Sequence, residues 1–185
     1  MLKELGTKTI ETNRLILRKF TMDDTKDMYN NWGSDPETSK MLPWDVHENE
    51  EVTRELLTEW TKGYDDNMYF KWVVEIKDNN EIIGDISVVK NNKSDKVCEI
   101  GYCYGSKYWG EGYATEALRA VLEYLLNDVG YRLVQARHIS GNPASGKVMS
   151  KSGMKYDATL RSRIINKDTK EPNDLIIYSI MKDEL

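Results

Sequence analysis

At 185 residues the chain has the length of one domain, enough to bury a single core. A hydrophobic fraction of 39%, a charged fraction of 31%, 12 Gly and only 4 Pro exclude collagen-like, low-complexity and wholly disordered classes. Against 26 basic residues stand 31 acidic ones, a net charge of -5, so no broad positive field exists for a phosphate backbone; nucleic acid is disfavoured as a partner and a cationic partner mildly favoured.

The opening segment carries Lys3, Glu4 and Lys8 without an apolar stretch, unlike a secretory signal, and no later apolar run is long enough for a membrane span. Arg14 to Phe20 alternates and predicts a first strand. Thr21, with Asp24 three residues on, predicts a helix cap, the helix running through Met28, Tyr29 and Trp32 to Gly33. A short helix is expected within Pro36 to Trp44, and a longer one over His47 to Lys62, with Val52, Leu56, Leu57 and Trp60 inward. Strands Tyr69 to Lys77 and Glu81 to Lys90 flank a turn at Asp78, Asn79 and Asn80. A third strand, Val97 to Tyr104, sends Cys98 and Cys103 to opposite faces, which argues against a disulfide.

After a glycine-punctuated loop, Gly105 to Gly112, a long helix carries Ala117, Leu118, Val121, Leu122 and Leu125 inward. Tyr131 to His138 reads as a strand, and Asn142 with Pro143 as the start of a helix that ends near Ser152. Two strands close the chain, Met154 to Ile165 and Leu175 to Met181. Residues 1–185 thus read as one α/β domain of three layers around a largely antiparallel sheet. His47 and His138 lie far from each other and from the cysteines, so no metal set is expected. The terminal Lys182-Asp183-Glu184-Leu185 matches a retention address of the endoplasmic reticulum. It is read as coincidental, and the expected location is cytoplasmic.

Chemistry concentrates in Trp109-Gly110-Glu111-Gly112-Tyr113-Ala114-Thr115, between a strand and a helix. Small residues there let backbone amides approach an anion, and the helix start adds N–H groups and a positive dipole end, a setting that fits a pyrophosphate. The spacing matches neither a Walker A loop nor a dinucleotide fingerprint, and taken alone it also describes a tight turn.

That loop has company at fixed intervals. Glu99-Ile100-Gly101-Tyr102 precedes it, Glu116-Ala117-Leu118 continues it, and Asn142, Ser145 and Lys151-Ser152-Gly153-Met154 follow, while Glu11 to Arg18 opens the pattern. Together they resemble the GNAT acyltransferases, most closely the branch holding the bacterial ribosomal-protein-alanine N-acetyltransferases, over nearly the whole chain. The resemblance implies a mixed, mostly antiparallel sheet with helices on both faces, splayed between the strands at 97–104 and 131–138 to bind acetyl-CoA as cosubstrate, with no metal. It implies that the backbone of Tyr102, Cys103 and Tyr104 pairs with the pantetheine arm. It also implies that Trp109, Gly110, Glu111, Gly112, Tyr113, Ala114 and Thr115 hold the pyrophosphate. Trp109 stands where the family usually has Arg or Gln.

Within that frame Glu99 is the candidate general base, its alternative being a solvated strand glutamate. The family's frequent acid, a Tyr seven residues after the motif Asn, is replaced by Met149. Ser145, one helical turn before it, is the candidate partner of the thiolate or else a first-turn serine, and Asn142 is an N-cap, a cofactor ligand or both. Of the tryptophans, Trp32, Trp60 and Trp72 are read as core and Trp44 as the one at the acceptor mouth. Arg161 and Arg163 are read as solvent-facing. The function implied is acetyl transfer to a primary amine by direct attack, the acceptor being a protein N-terminus. Its alternatives are a small-molecule amine such as a polyamine or amino-sugar, or a non-catalytic acyl-CoA sensor. The protein is expected as monomer or homodimer.

Overall fold

In a computed structural model, which describes residues 1–185, the chain forms two compact units. The N-terminal unit comprises Glu4–Val88 and Tyr102–Ala117; the C-terminal unit comprises Met1–Lys3, Val89–Gly101 and Leu118–Leu185.

The N-terminal unit opens with β1 (Ile10–Glu11) and β2 (Leu15–Arg18), then α1 (Thr25–Met28), α2 (Pro36–Ser39) and α3 (Glu50–Gly63), before β3 (Lys71–Ile76) and the first part of β4 (Ile82–Asn92). β1 to β4 pair antiparallel in that order. Alternation puts Leu15 and Leu17 into the core, and β3 is buried along nearly its whole length. Phe20, Met28, Trp32, Leu57, Val73, Ile82 and Cys103 form one buried cluster, with Trp44, Leu56, Trp60 and Tyr64 packed on it.

The predicted helix after Thr21 is present but changes pitch, from a 3-10 turn at Met22–Asp24 through α1 to a π-helical turn at Tyr29–Gly33. Its start follows the sequence signal, since Asp24 Oδ2 accepts the Thr21 N–H at 2.8 Å. For α3 the structure corrects the expected start and one position of its inner face. The cap is Asn49, whose Oδ1 accepts from Glu51 N and Val52 N; Leu57 is buried and Leu56 and Trp60 pack on the core as expected, but Thr53 is buried in place of Val52, which is exposed. His47 lies before the helix, buried, its Nδ1 2.7 Å from Thr53 Oγ1. A buried hydroxyl with a partner serves that face, which hydrophobic spacing alone does not register.

One further polar pair lies inside this unit. Lys71 Nζ donates to Asp85 Oδ1 at 2.7 Å with both side chains nearly sealed (8% and 11% exposed), and the ammonium sits 3.5 Å from the centre of the Trp60 ring.

In the C-terminal unit the start of β5 (Val97–Tyr104) pairs in parallel with β6 (Leu133–Ile139), from Val97 opposite Leu133 to Ile100 opposite Ala136. Parallel neighbours need a crossover, and α4 (Tyr113–Glu123) supplies it, ending in a π-helical turn at Tyr124–Val129. After α5 (Pro143–Lys151) come β7 (Lys155–Ile165) and β8 (Pro172–Met181), with β8 antiparallel to both β6 and β7. β7 is mostly exposed, Arg161 and Arg163 included, and bulged in two places. The strands hydrogen-bond in the order β1-β2-β3-β4-β5-β6-β8-β7, an α/β fold with a mostly antiparallel eight-stranded sheet. Cys98 and Cys103 are both unbridged and buried. No helix is long and apolar enough to cross a membrane.

Candidate active site

The glycine-punctuated loop belongs to the N-terminal unit, between the end of β5 and the start of α4. Gly110 and Gly112 have φ of +87° and +81°, the left-handed region that side chains resist. A Cβ on Gly110 would meet nothing within 4 Å, and one on Gly112 only Arg14 Nη2 at 3.5 Å. The surface over these two peptides is therefore open, and side chains there would fill it. Directly beyond, Tyr113 starts α4, whose first N–H groups have no partner within the helix. Open backbone beside a helix start fits a phosphate group, and the residues that frame it are Gly110, Glu111, Gly112, Tyr113, Ala114 and Thr115.

Both ends of the loop are tied down. At its start Asp35, the cap of α2, also receives Ser106 N at 2.9 Å, besides Thr38 Oγ1 at 2.7 Å and Glu37 N at 3.0 Å. Burial works to raise the Asp35 pKa, but the hydrogen bonds from Ser106, Thr38 and Glu37 outweigh it and bring it down to about 2. Glu81 takes Lys107 Nζ at 2.8 Å and the Tyr108 hydroxyl at 2.5 Å, and these two hold its carboxyl below the usual range. At the far end Glu116 binds Thr12 Oγ1 at 2.6 Å and Arg14 through both N (2.9 Å) and Nε (2.7 Å). The bonds of Asp35 to Ser106, of Glu81 to Lys107 and Tyr108, and of Glu116 to Thr12 and Arg14 are not apparent in the sequence, because each joins positions that are remote along the chain.

Trp109, half exposed, donates its indole N–H to Tyr104 O at 2.8 Å, and Thr38 Oγ1 reaches the same carbonyl at 3.3 Å. Of the backbone at Tyr102, Cys103 and Tyr104, the last carbonyl is thus already engaged. The Cys103 thiol is buried, and burial raises its pKa, with Asp85 adding to the effect. Trp44 packs on the Phe20 and Trp32 cluster and lies 5.5 Å from the His47 ring, while its carbonyl accepts Ser39 Oγ.

The C-terminal unit holds Glu99, Asn142, Ser145 and Met149. Glu99 is only 3% exposed, which overturns the solvated alternative. Its Oε2 accepts Gln135 Nε2 at 2.8 Å and Lys90 Nζ at 3.4 Å, and Oε1 lies 2.9 Å from Arg137 Nε without the alignment of a hydrogen bond. The parallel register explains this: Glu99 stands opposite Gln135, and Arg137, two residues further along β6, is the next position on the same face. Asn142 is the cap of α5, its Oδ1 accepting Ser145 N at 3.2 Å. Ser145 is half-buried and Met149 buried. The His138 ring lies against α5 where Gly146 leaves room, a Cβ there standing 2.6 Å from Nε2.

Comparison with known proteins bears on these parts together. The model of the acetyltransferase (GNAT) domain matches residues 14–155. YkkB of Bacillus subtilis is 32% identical over 163 residues, covering 85% of this chain and 91% of that protein. The N-acetyltransferase YoaA of the same organism is 27% identical over 173 residues, 94% of this chain and 96% of its own. Among solved structures, a GNAT-family acetyltransferase from Bacillus anthracis superposes with a TM-score of 0.83 at 28% identity, over 96% of this chain and all of that one. The chain belongs to the GNAT family and is an acetyl-CoA-dependent N-acetyltransferase.

Proposed function

We propose that the protein acetylates an α-amine, such as a protein N-terminus, with acetyl-CoA held by its phosphates on Gly110 to Thr115 and the whole chain acting as one domain. The reaction forms an amide C–N bond and breaks a thioester C–S bond, an amine proton leaving and a proton going to the sulfur. The observation that carries the acceptor class is the state of Glu99, whose oxygens are already engaged by Gln135, Lys90 and Arg137. Its Oε1 accepts no hydrogen bond but is buried beside Arg137, so an amine reaches it only by displacing that guanidinium or through a water. An α-amine, with an ordinary pKa of about 7.7–8.0, is substantially neutral near pH 7.5 and needs little help; a lysine-like amine at about 10.4 needs a great deal.

In this reading Ser145 donates to the departing sulfur in place of the tyrosine that Met149 displaces, and Trp44 borders the acceptor. Tyr102 and Cys103 offer the pantetheine arm its backbone partners. A cytoplasmic setting accords with the use of acetyl-CoA. The test is to incubate purified protein with acetyl-CoA and a panel of N-terminal peptides, polyamines and amino-sugars, reading product mass. Acetylation at peptide α-amines is expected; turnover confined to polyamines or amino-sugars would overturn the acceptor assignment. Ser145→Ala is expected to lower kcat while leaving acetyl-CoA affinity in place, since the contact strengthens only as the thiolate forms.

A further inference from the structure

Arg14 has so far been given no part in the chemistry, yet it contacts three of the six positions from 111 to 116 and lies beside a fourth. Nη1 donates to Glu111 O at 3.0 Å, Nη2 stands 3.5 Å from where a Gly112 Cβ would be, the guanidinium sits 4.4 Å from the centre of the Tyr113 ring, and Nε bonds Glu116 Oε2 at 2.7 Å. Glu116 answers with Oε1, which takes both Arg14 N and Thr12 Oγ1. Burial works to raise the Glu116 pKa, but the hydrogen bonds from Thr12 and Arg14 prevail and keep its carboxyl below the usual range. A carboxylate in the first turn of α4 suits the helix dipole but would repel a phosphate at the same helix end. Pairing with Arg14 removes that conflict.

The contact with Glu111 O has a geometric effect. A trans peptide is planar, with its C=O and N–H pointing in opposite directions. Holding the Glu111 carbonyl toward Arg14 therefore turns the Gly112 N–H the other way. The two left-handed glycines give the loop many conformations, and this clamp selects one.

We propose that Arg14 and Glu116 are a positioning pair that presets the 110–114 backbone for phosphate, acting through the loop and not by touching the phosphates. The proposal rests on the reading of that loop as the cosubstrate's phosphate site. Its test compares kcat/KM for acetyl-CoA with that for S-acetyl-pantetheine, which lacks the nucleotide end, together with CoA affinity by calorimetry. Arg14→Ala is expected to weaken CoA binding about tenfold or more, the scale of a lost charged hydrogen bond, and to leave turnover of S-acetyl-pantetheine unchanged. General damage to the fold would lower both. Arg14→Lys should not restore affinity, because one ammonium cannot span Glu111 O and the Glu116 carboxylate.

Glu116→Gln gives the opposite sign for the rival arrangement. If Arg14 contacted phosphate directly, removing a neighbouring negative charge would tighten binding; a clamp predicts weaker binding. Tighter CoA binding by Glu116→Gln, or an Arg14→Ala variant that keeps the parent's preference for acetyl-CoA, would overturn the proposal. A parent protein that shows no preference for acetyl-CoA over S-acetyl-pantetheine would instead refute the phosphate-loop reading itself.

Discussion

Each compact unit buries a carboxylate against cations, and the two do it differently. In the N-terminal unit Asp85 and Lys71 are both sealed, and the ammonium is covered by the Trp60 ring. In the C-terminal unit only Glu99 is sealed, at 4% side-chain exposure, while its partners Lys90 and Arg137 remain 61% and 40% exposed. A sealed pair has no water to replace a lost partner, so it behaves as a fixed part of the core. A carboxylate whose cations reach water can exchange them at low cost. The second arrangement suits a place where protons move, and the first does not.

Breaking the sealed pair should have the largest effect. Asp85→Ala leaves a buried ammonium uncompensated and is expected to cost about 3–5 kcal/mol of stability, read by chemical denaturation; replacing both partners with apolar residues, Lys71→Met with Asp85→Leu, should recover most of it. A loss under about 1 kcal/mol, the range of exposed pairs, would erase the contrast. Glu99→Gln should appear in turnover, with a deficit below the roughly 100-fold of a lost general base when the acceptor is a peptide α-amine, shrinking further as pH approaches about 8. A hundredfold deficit that persists at every pH would make the open cluster as rigidly required as the sealed one.

Acid sharpens the comparison further. Burial pushes the pKa of His47 below its ordinary value, so the unfolded chain binds the proton more readily than the folded one. Its contribution is fully present above the unfolded value of about 6.5 and declines as pH falls below that, toward the lower folded value. Melting temperature measured from pH 7.5 to 4.5 should start to drop near that point. A melting temperature that holds steady down to pH 5 would contradict it. The smallest effect is assigned to Lys90→Ala, at most about 1 kcal/mol and weakened by salt, because its head group is largely in water.

The elements were legible where periodicity and turn chemistry agree. Asn142 and Pro143 start α5 as their residue types require, and Gly110 and Gly112 mark the open loop by residue type alone. Legibility ended where a residue's role depends on its neighbour across the sheet. Glu99 in isolation reads equally as a solvated strand glutamate, and only the register that sets it beside Gln135 shows that it is buried and bonded. Arg14, in the run from Glu11 to Arg18, reads as strand alone, because its partner Glu116 comes 102 residues later. Val52 misled for a simpler reason: helical spacing fixes a face only to within a residue, and Thr53 fills the inner position through its bond to His47. Polar residues that satisfy each other inside the protein leave no hydrophobic trace.

The state of the two cysteines decides how the enzyme can be assayed. Cys98 and Cys103 are 1% and 9% exposed, and burial raises both thiol pKa values. Thiolate is the species that attacks an aromatic disulfide reagent, so the folded protein contributes almost no colour of its own. Coenzyme thiol released by turnover can then be followed continuously in the same cuvette, without masking the protein first. Slow colour that develops from the protein alone, with neither acetyl-CoA nor acceptor, would report unfolding and so measure how intact the enzyme remains.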